Sequence, residues 1–191
     1  MSGHPAFALA ALLALGGAAP GLSAPAAPAP FALGSSDFRD GAMLDRRHGG
    51  NTPGNPNCLG QNVSPALTWR NVPDGTRSIA IIMSDPEGRA GAGVIHWVAY
   101  GIRPDLGGFK TGETSVESKE YVGGKGTAGM THYVGPCTPP NQSPHHYTFV
   151  ALATDLAPDA LAAGMTRDEL LAHLQGHVKG VSGLVGRFAH P

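Results

Sequence analysis

A chain of 191 residues with 41% hydrophobic and 14% charged content can bury one good core but hardly two, since a domain takes about 100 to 150 residues. Thirteen basic against fourteen acidic residues leave a net charge of −1, which excludes the broad electrostatic footprint of a nucleic-acid binder or of a protein drawn to an anionic membrane surface. With 28 Gly and 17 Pro, many short elements joined by turns are expected rather than long helices.

The chain opens on Ala6 to Leu15 (AFALAALLAL), an apolar run with the length of a secretory h-region, followed by small residues and by Ala24-Pro25-Ala26, an A-x-A cleavage signal. Residues 1–26 therefore read as a signal peptide, although MSGHPAF lacks the Lys or Arg that usually precedes one; the alternatives are a short buried helix or an uncleaved anchor. The run is too short to span a bilayer, so no stable membrane insertion is expected, and the mature chain is expected to be periplasmic or secreted. Residues 27–30 finish a Pro/Ala spacer, and residues 31–191 form a single domain. Two cysteines in an exported chain are more often bridged than free, which pairs Cys58 with Cys137 against the alternative of two buried thiols.

From Phe31 the pattern is strands and turns: a short stretch (FALGSSDF), then a loop rich in Gly, Asn and Pro (HGGNTPGNPNCLGQNVSP). Ser78 to Met83 (SIAIIM), Gly93 to Ile102 (GVIHWVAYGI) and His145 to Thr154 (HHYTFVALAT) are continuous apolar runs, the mark of strands buried on both faces. Pro104–Gly129 and Gly135–Pro144 connect them over the surface. Asp159–Gly164 predicts a short helix, and Thr166-Arg167-Asp168-Glu169 fits a capping box. Leu170, Leu171, Leu174, Val178, Val181 and Val185 then recur at three to four residues, which predicts one helix with an apolar face laid on the sheet.

Chemistry concentrates where strands end. In Ser84-Asp85-Pro86-Glu87 a buried strand runs into two carboxylates, and Pro86 stiffens the backbone that aims Asp85; a plain Asp-Pro turn is the bland alternative. His96 sits within an apolar strand, where strict alternation puts it on the face of Val94, Val98 and Tyr100. Its imidazole needs a partner, either a backbone carbonyl or the carboxylate ending the preceding strand. His145 and Tyr147 share a face of the third strand, delivered by the Pro-rich Gly135-Pro136-Cys137-Thr138-Pro139-Pro140. If these strand ends are neighbours, imidazole N–H, phenol O–H and backbone N–H form a donor set for phosphate, sulfate or carboxylate oxygens. A carboxylate beside histidine favours the imidazolium, and Glu87 could take the ammonium of a zwitterion such as phosphoethanolamine.

Asp85-Pro86-Glu87, His96-Trp97, Gly135-Pro136-Cys137 and His145-His146-Tyr147, in this order, resemble the phosphatidylethanolamine-binding protein family, especially its bacterial Raf kinase inhibitor-like branch. Cys58-Leu59-Gly60-Gln61-Asn62-Val63-Ser64-Pro65 with Leu67 and Trp69 resembles the family's early segment, so the likeness covers residues 31–188. The resemblance implies a mainly β fold: a central antiparallel sheet, a smaller second sheet on one side and a C-terminal helix packed on the other. It also implies that Asp85, Glu87, His96, Gly135, Pro136, His145 and Tyr147 form a small anion pocket for a phosphorylated or phosphoethanolamine-like group. Glu87-Gly88-Arg89 departs from the usual second Asp followed by Ala-Pro, Thr138 stands where Pro is usual and is expected to loosen the loop, and Asn141 replaces a Gly.

The function expected is non-catalytic binding of a small anionic ligand, without a cofactor. Inhibition of a peptidase or kinase through the pocket-rim loops is the alternative partner-directed reading. A metal-dependent enzyme ranks below both, since no H-E-x-x-H or other tight ligand spacing occurs, and no G-x-S-x-G elbow supports hydrolysis.

Overall fold

Continuous apolar runs become the centre of a sheet because such strands can be covered on both faces. In the computed structural model, which describes Met1 and residues 28–190, the elements in chain order are β1 (Ala32–Gly34), β2 (Leu67–Arg70), β3 (Ser78–Asp85), β4 (Val94–Ile102), β5 (Gly108–Phe109), β6 (Val122–Gly123), β7 (His145–Thr154), α1 (Arg167–His173) and β8 (Val178–Phe188). The signal-peptide reading falls on residues outside those described. No helix among the described residues is long and apolar enough to cross a membrane.

The large sheet has five strands in the order β6-β4-β3-β7-β8 and the small one three, β1-β2-β5, with every pairing antiparallel. One face of the large sheet (Ile79, Ile81, Met83, Trp97, Phe149) packs against Leu33, Leu67, Trp69 and Phe109 of the small sheet in a single apolar cluster. The other face (Ala80, Ile82, Val98, Tyr100, Leu152) is covered by Leu170 and Leu174 of α1 and its C-cap. The expected architecture of a central sheet, a smaller sheet on one side and a helix on the other is what the chain adopts.

The expected helix is shorter than its apolar periodicity predicts. The capping box forms, with Thr166 Oγ1 accepting from Glu169 N–H and the Glu169 carboxylate accepting from Thr166 N–H. The helix ends at the C-cap Leu174, and Gly176 follows at φ +80°, a left-handed position that glycine occupies without strain. Residues 178–188 then form the edge strand β8, not a continuation of the helix. Gly180, Gly183 and Gly186 explain the outcome: each costs a helix about 1 kcal/mol, and in the strand Gly180 and Gly186 admit close neighbours. A Cβ on Gly180 would stand 2.8 Å from Pro73 Cγ, and one on Gly186 2.6 Å from Leu44 Cδ2. Asp159–Gly164, expected to be helical, is turn and bend.

Candidate functional site

Because β3 runs antiparallel to β4 and β7, its C-terminal end at Asp85 meets the N-terminal ends of its two neighbours, at Val94 and near His145. A cavity of about 370 Å³ opens at this corner, lined by six of the seven residues singled out above: Asp85, Glu87, His96, Gly135, His145 and Tyr147. Pro136 is the exception and lies behind the wall, buried, its carbonyl accepting from Gly50 N–H at 2.7 Å. Sequence reasoning passed over Gln142, Arg89 as a lining side chain, and the apolar wall of Val94, Ile95 and Val134.

His96 reaches the cavity through a register break. Met83 pairs with Trp97 and Ser84 with Ile95, so His96 is the extra residue of a β-bulge. The bulge overturns the strict alternation expected of β4. Val98 and Tyr100 pack on the helix side of the sheet, whereas the His96 ring stacks edge-on to Tyr147, centroids 5.1 Å apart, on the side of Trp97.

Of the two partners open to His96, a backbone carbonyl or the Asp85 carboxylate, it takes the carbonyl, and the carboxylate goes to His145. Asp85, 3% exposed, pairs with His145, whose Nδ1 donates to Oδ2 at 2.8 Å. Its Oδ1 accepts from the backbone N–H groups of Glu87 and Gly88, both at 2.9 Å. Those bonds and the ring satisfy a buried charge that would otherwise cost several kcal/mol. On the far side of the ring, His145 Nε2 lies 2.6 Å from Gln142 Oε1. His96 is satisfied instead by a backbone carbonyl, Val134 O, 2.9 Å from Nδ1. Burial lowers the His96 pKa, and the Val134 hydrogen bond and the Asp85 charge only partly oppose that, so the site works against an imidazolium at this ring.

Tyr147 is buried, and its hydroxyl lies 2.8 Å from Thr138 Oγ1, which itself donates to the Phe188 carbonyl at 3.0 Å. Burial raises the phenol pKa, and the nearby Asp85 charge adds to the rise. Thr138 therefore ties the Pro-rich loop to β7 and to the end of β8 rather than loosening it. At the rim, Glu87 accepts from the His146 ring at 2.7 Å and from its backbone N–H at 3.2 Å. Partial burial pushes the Glu87 carboxyl up, but these bonds prevail and hold it at about 2. Gly88 cannot carry a side chain without stress, since a Cβ would stand 2.6 Å from Val94 Cγ2 and 3.0 Å from Asp85 Oδ2. Arg89 and Ala90 follow at φ +53° and +57°, a turn that presents the exposed Arg89 along the cavity mouth.

The cavity's back wall is a mesh of two distant segments. Gly50 N–H donates to Pro136 O, Gly60 N–H to Gly50 O at 2.9 Å, and Gly135 N–H to Asn62 Oδ1 at 2.8 Å, while Asn62 Nδ2 donates to Tyr133 O at 3.2 Å. Backbones approach so closely that a Cβ on Gly135 would meet Gly50 N at 2.7 Å. Cys58 and Cys137 are bonded across this mesh, Cα atoms 4.5 Å apart, the pairing expected from the sequence.

Asp85, Glu87 and His145 bring ligand-type atoms within 4.8 Å of one another, yet those atoms are spent on each other and on His146. A cation there would have to displace the Asp85–His145 bond. Neither Ser84 nor Ser143 lines the cavity, and the side-chain hydroxyls that do are those of Thr52 and Tyr147.

The family model described as phosphatidylethanolamine-binding protein matches residues 34–189. The UPF0098 protein of Methanothermobacter thermautotrophicus is 33% identical over 141 residues, covering 73% of this chain and 91% of that protein. LppC of Mycobacterium tuberculosis, named as a candidate lipoprotein, is 32% identical over 165 residues, 86% of this chain and 75% of its own length. The crystal structure of Escherichia coli YbcL, titled a member of the mammalian phosphatidylethanolamine-binding protein family, superposes with a TM-score of 0.74 at 25% identity, covering 84% of this chain and 99% of that one. CT736 of Chlamydia trachomatis superposes with a TM-score of 0.72 at 27% identity, covering 85% and 99%.

Proposed function

The chain belongs to the phosphatidylethanolamine-binding protein family, and from that membership and the geometry of its cavity we propose that it is an exported, non-catalytic binding protein for a small phosphorylated or phosphoethanolamine-like group. The observation that carries this reading is the meeting of Asp85, His96, His145 and Tyr147 at one strand-end corner, around a cavity of about 370 Å³. That volume suits a headgroup rather than a whole lipid. Arg89 and the amide of Gln142 can donate to phosphoryl oxygens, and Glu87 lies within the same cavity to receive an ammonium. The bonded cysteines and the likeness to LppC support export.

Titration of phosphoethanolamine and inorganic phosphate against ¹⁵N-labelled protein tests the site. Shifts concentrated at residues 85–96 and 134–147, abolished in His96→Ala and His145→Ala, are expected. Unchanged binding in both variants would place the ligand elsewhere. Fractionation of cells expressing the full chain, with N-terminal sequencing of the product, tests export: a mature chain beginning at Ala27 is expected, and a cytoplasmic chain retaining residues 1–26 refutes it.

A further inference from the structure

Hydrogen-bond directions around the cavity are more restrictive than its residue types. Val134 O, 2.9 Å from His96 Nδ1, can only accept, so the proton of the neutral ring sits on Nδ1 and Nε2 offers the cavity a lone pair. Thr138 has one hydroxyl proton, which goes to the Phe188 carbonyl at 3.0 Å; Tyr147, 2.8 Å away, must then donate to Thr138, leaving its phenolic oxygen lone pairs alone to offer. Two residues that look like donors by type are acceptors in place. The buried Asp85 adds negative charge beneath them.

The groups facing His96 come from four segments. β3 contributes Asp85, and β7 contributes His145 and Tyr147. The turn after β3 contributes Glu87, already paired with His146, and the exposed Arg89; the segment at 134–137 contributes carbonyls and a bonded cysteine. Arg89 is the sole Lys or Arg side chain among the lining residues. A fully deprotonated anion would meet the Arg89 charge on the rim but lone pairs on the floor.

Resting on the binding reading above, we infer that the site takes a phosphoryl group together with one proton, shared between a phosphoryl oxygen and His96 Nε2. Its ligand class is then a phosphate or phosphonate monoester, whose second ionisation lies near neutrality, and the site discriminates against sulfate esters, which carry no such proton. A phosphate monoester has a second pKa of about 6, so above that value each binding event must draw a proton from solvent. Sulfate esters can bind only by charging His96, a ring that burial disfavours charging.

Methyl phosphate and methyl sulfate are titrated calorimetrically into the full mature chain in two buffers of different protonation enthalpy, with ¹⁵N spectra of the histidine rings alongside. At about pH 7.5, uptake of roughly one proton per methyl phosphate is expected, with affinity falling about tenfold per unit above pH 6.5. Methyl sulfate should bind at least roughly tenfold more weakly, since its deficit is one unmet proton. In His96→Gln, whose amide can donate, proton uptake should fall by at least about half. Full uptake in that variant refutes His96 as the proton's seat. Methyl phosphate that shifts the His96 ring yet binds without proton uptake and no better than methyl sulfate refutes this inference and leaves the binding reading standing. Absence of binding by either ester, with His96 and His145 unmoved, overturns the binding reading and this inference with it.

Discussion

Removing the Cys58–Cys137 bond separates what the unfolded chain loses from what the cavity loses. The bond spans 79 residues, and chain-entropy arithmetic for a loop of that length gives about 4.5 kcal/mol at 25 °C. In the folded state the same two segments are also held by Gly50 N–H to Pro136 O and Gly135 N–H to Asn62 Oδ1. The double variant Cys58→Ala/Cys137→Ala should therefore keep its native cavity while its unfolded ensemble expands. Urea unfolding is expected to show a loss of about 3–5 kcal/mol with a steeper m-value, and thermal unfolding a fall of roughly 10–18 °C for a chain of this size. Phosphate affinity should change less than about threefold, the mesh being intact. A stability loss under about 1 kcal/mol would refute the entropic reasoning, because the unfolded chain would then be restrained by something else. Loss of binding at unchanged stability would refute the claim that the hydrogen-bonded mesh keeps the wall in place without the disulfide.

Four further outcomes follow from the same geometry. Asp85→Asn keeps the shape but removes the charge that His145 and two backbone N–H groups share, and should cost about 2–3 kcal/mol in urea unfolding; under about 0.5 kcal/mol, the buried pair contributes little. Thr138→Val deprives the Phe188 carbonyl of a donor and frees the Tyr147 hydroxyl to point into the cavity, so stability should drop by about 1–2 kcal/mol while affinity for methyl sulfate rises; a fall in that affinity contradicts the assigned direction of the bond. The His96 pKa is lowered from 6.5 in the folded state, so the unfolded chain binds more protons below that value; stability present above pH 6.5 is lost as pH falls beneath it, and His96→Gln should flatten this limb of the thermal-midpoint profile. Glu87, lowered from 4.5 to about 2, contributes in a separate window, its stabilisation lost as pH falls from 4.5 towards 2.

The strands that carry the site were legible because burial on both faces leaves an unmistakable apolar run, and β7 begins and ends where HHYTFVALAT does. The edge strand β8 was not, since valines spaced by glycines satisfy helical and strand periods alike, and the decision falls to the glycines, of which Gly180 and Gly186 are packed against Pro73 and Leu44. Residue types at the cavity were legible too, but not their partners. Which histidine meets Asp85 depends on a single extra residue in β4, and nothing in VIHWV marks where pairing with β3 slips. Gln142 and Asn62 sit in polar loops whose composition signals only turns, yet one caps the His145 ring and the other pins residues 133–135.

Those loops set the chemistry that the strands merely position. His96 and Tyr147 stand on β4 and β7, but whether each shows the cavity a proton or a lone pair is decided by Val134 and Thr138, both from the segment between β6 and β7. Thr138 does not line the cavity at all, and its hydroxyl still determines what Tyr147 can bind. The segment is anchored at its start by Asn62 and in its middle by the Cys58 bond, so its carbonyls and hydroxyl are held in register with the strand ends. A substitution such as Thr138 for proline can thus invert the polarity of a contact while every lining side chain stays the same. In the proposed site, ligand preference would consequently be set one layer behind the cavity, by the Val134 carbonyl and the Thr138 hydroxyl.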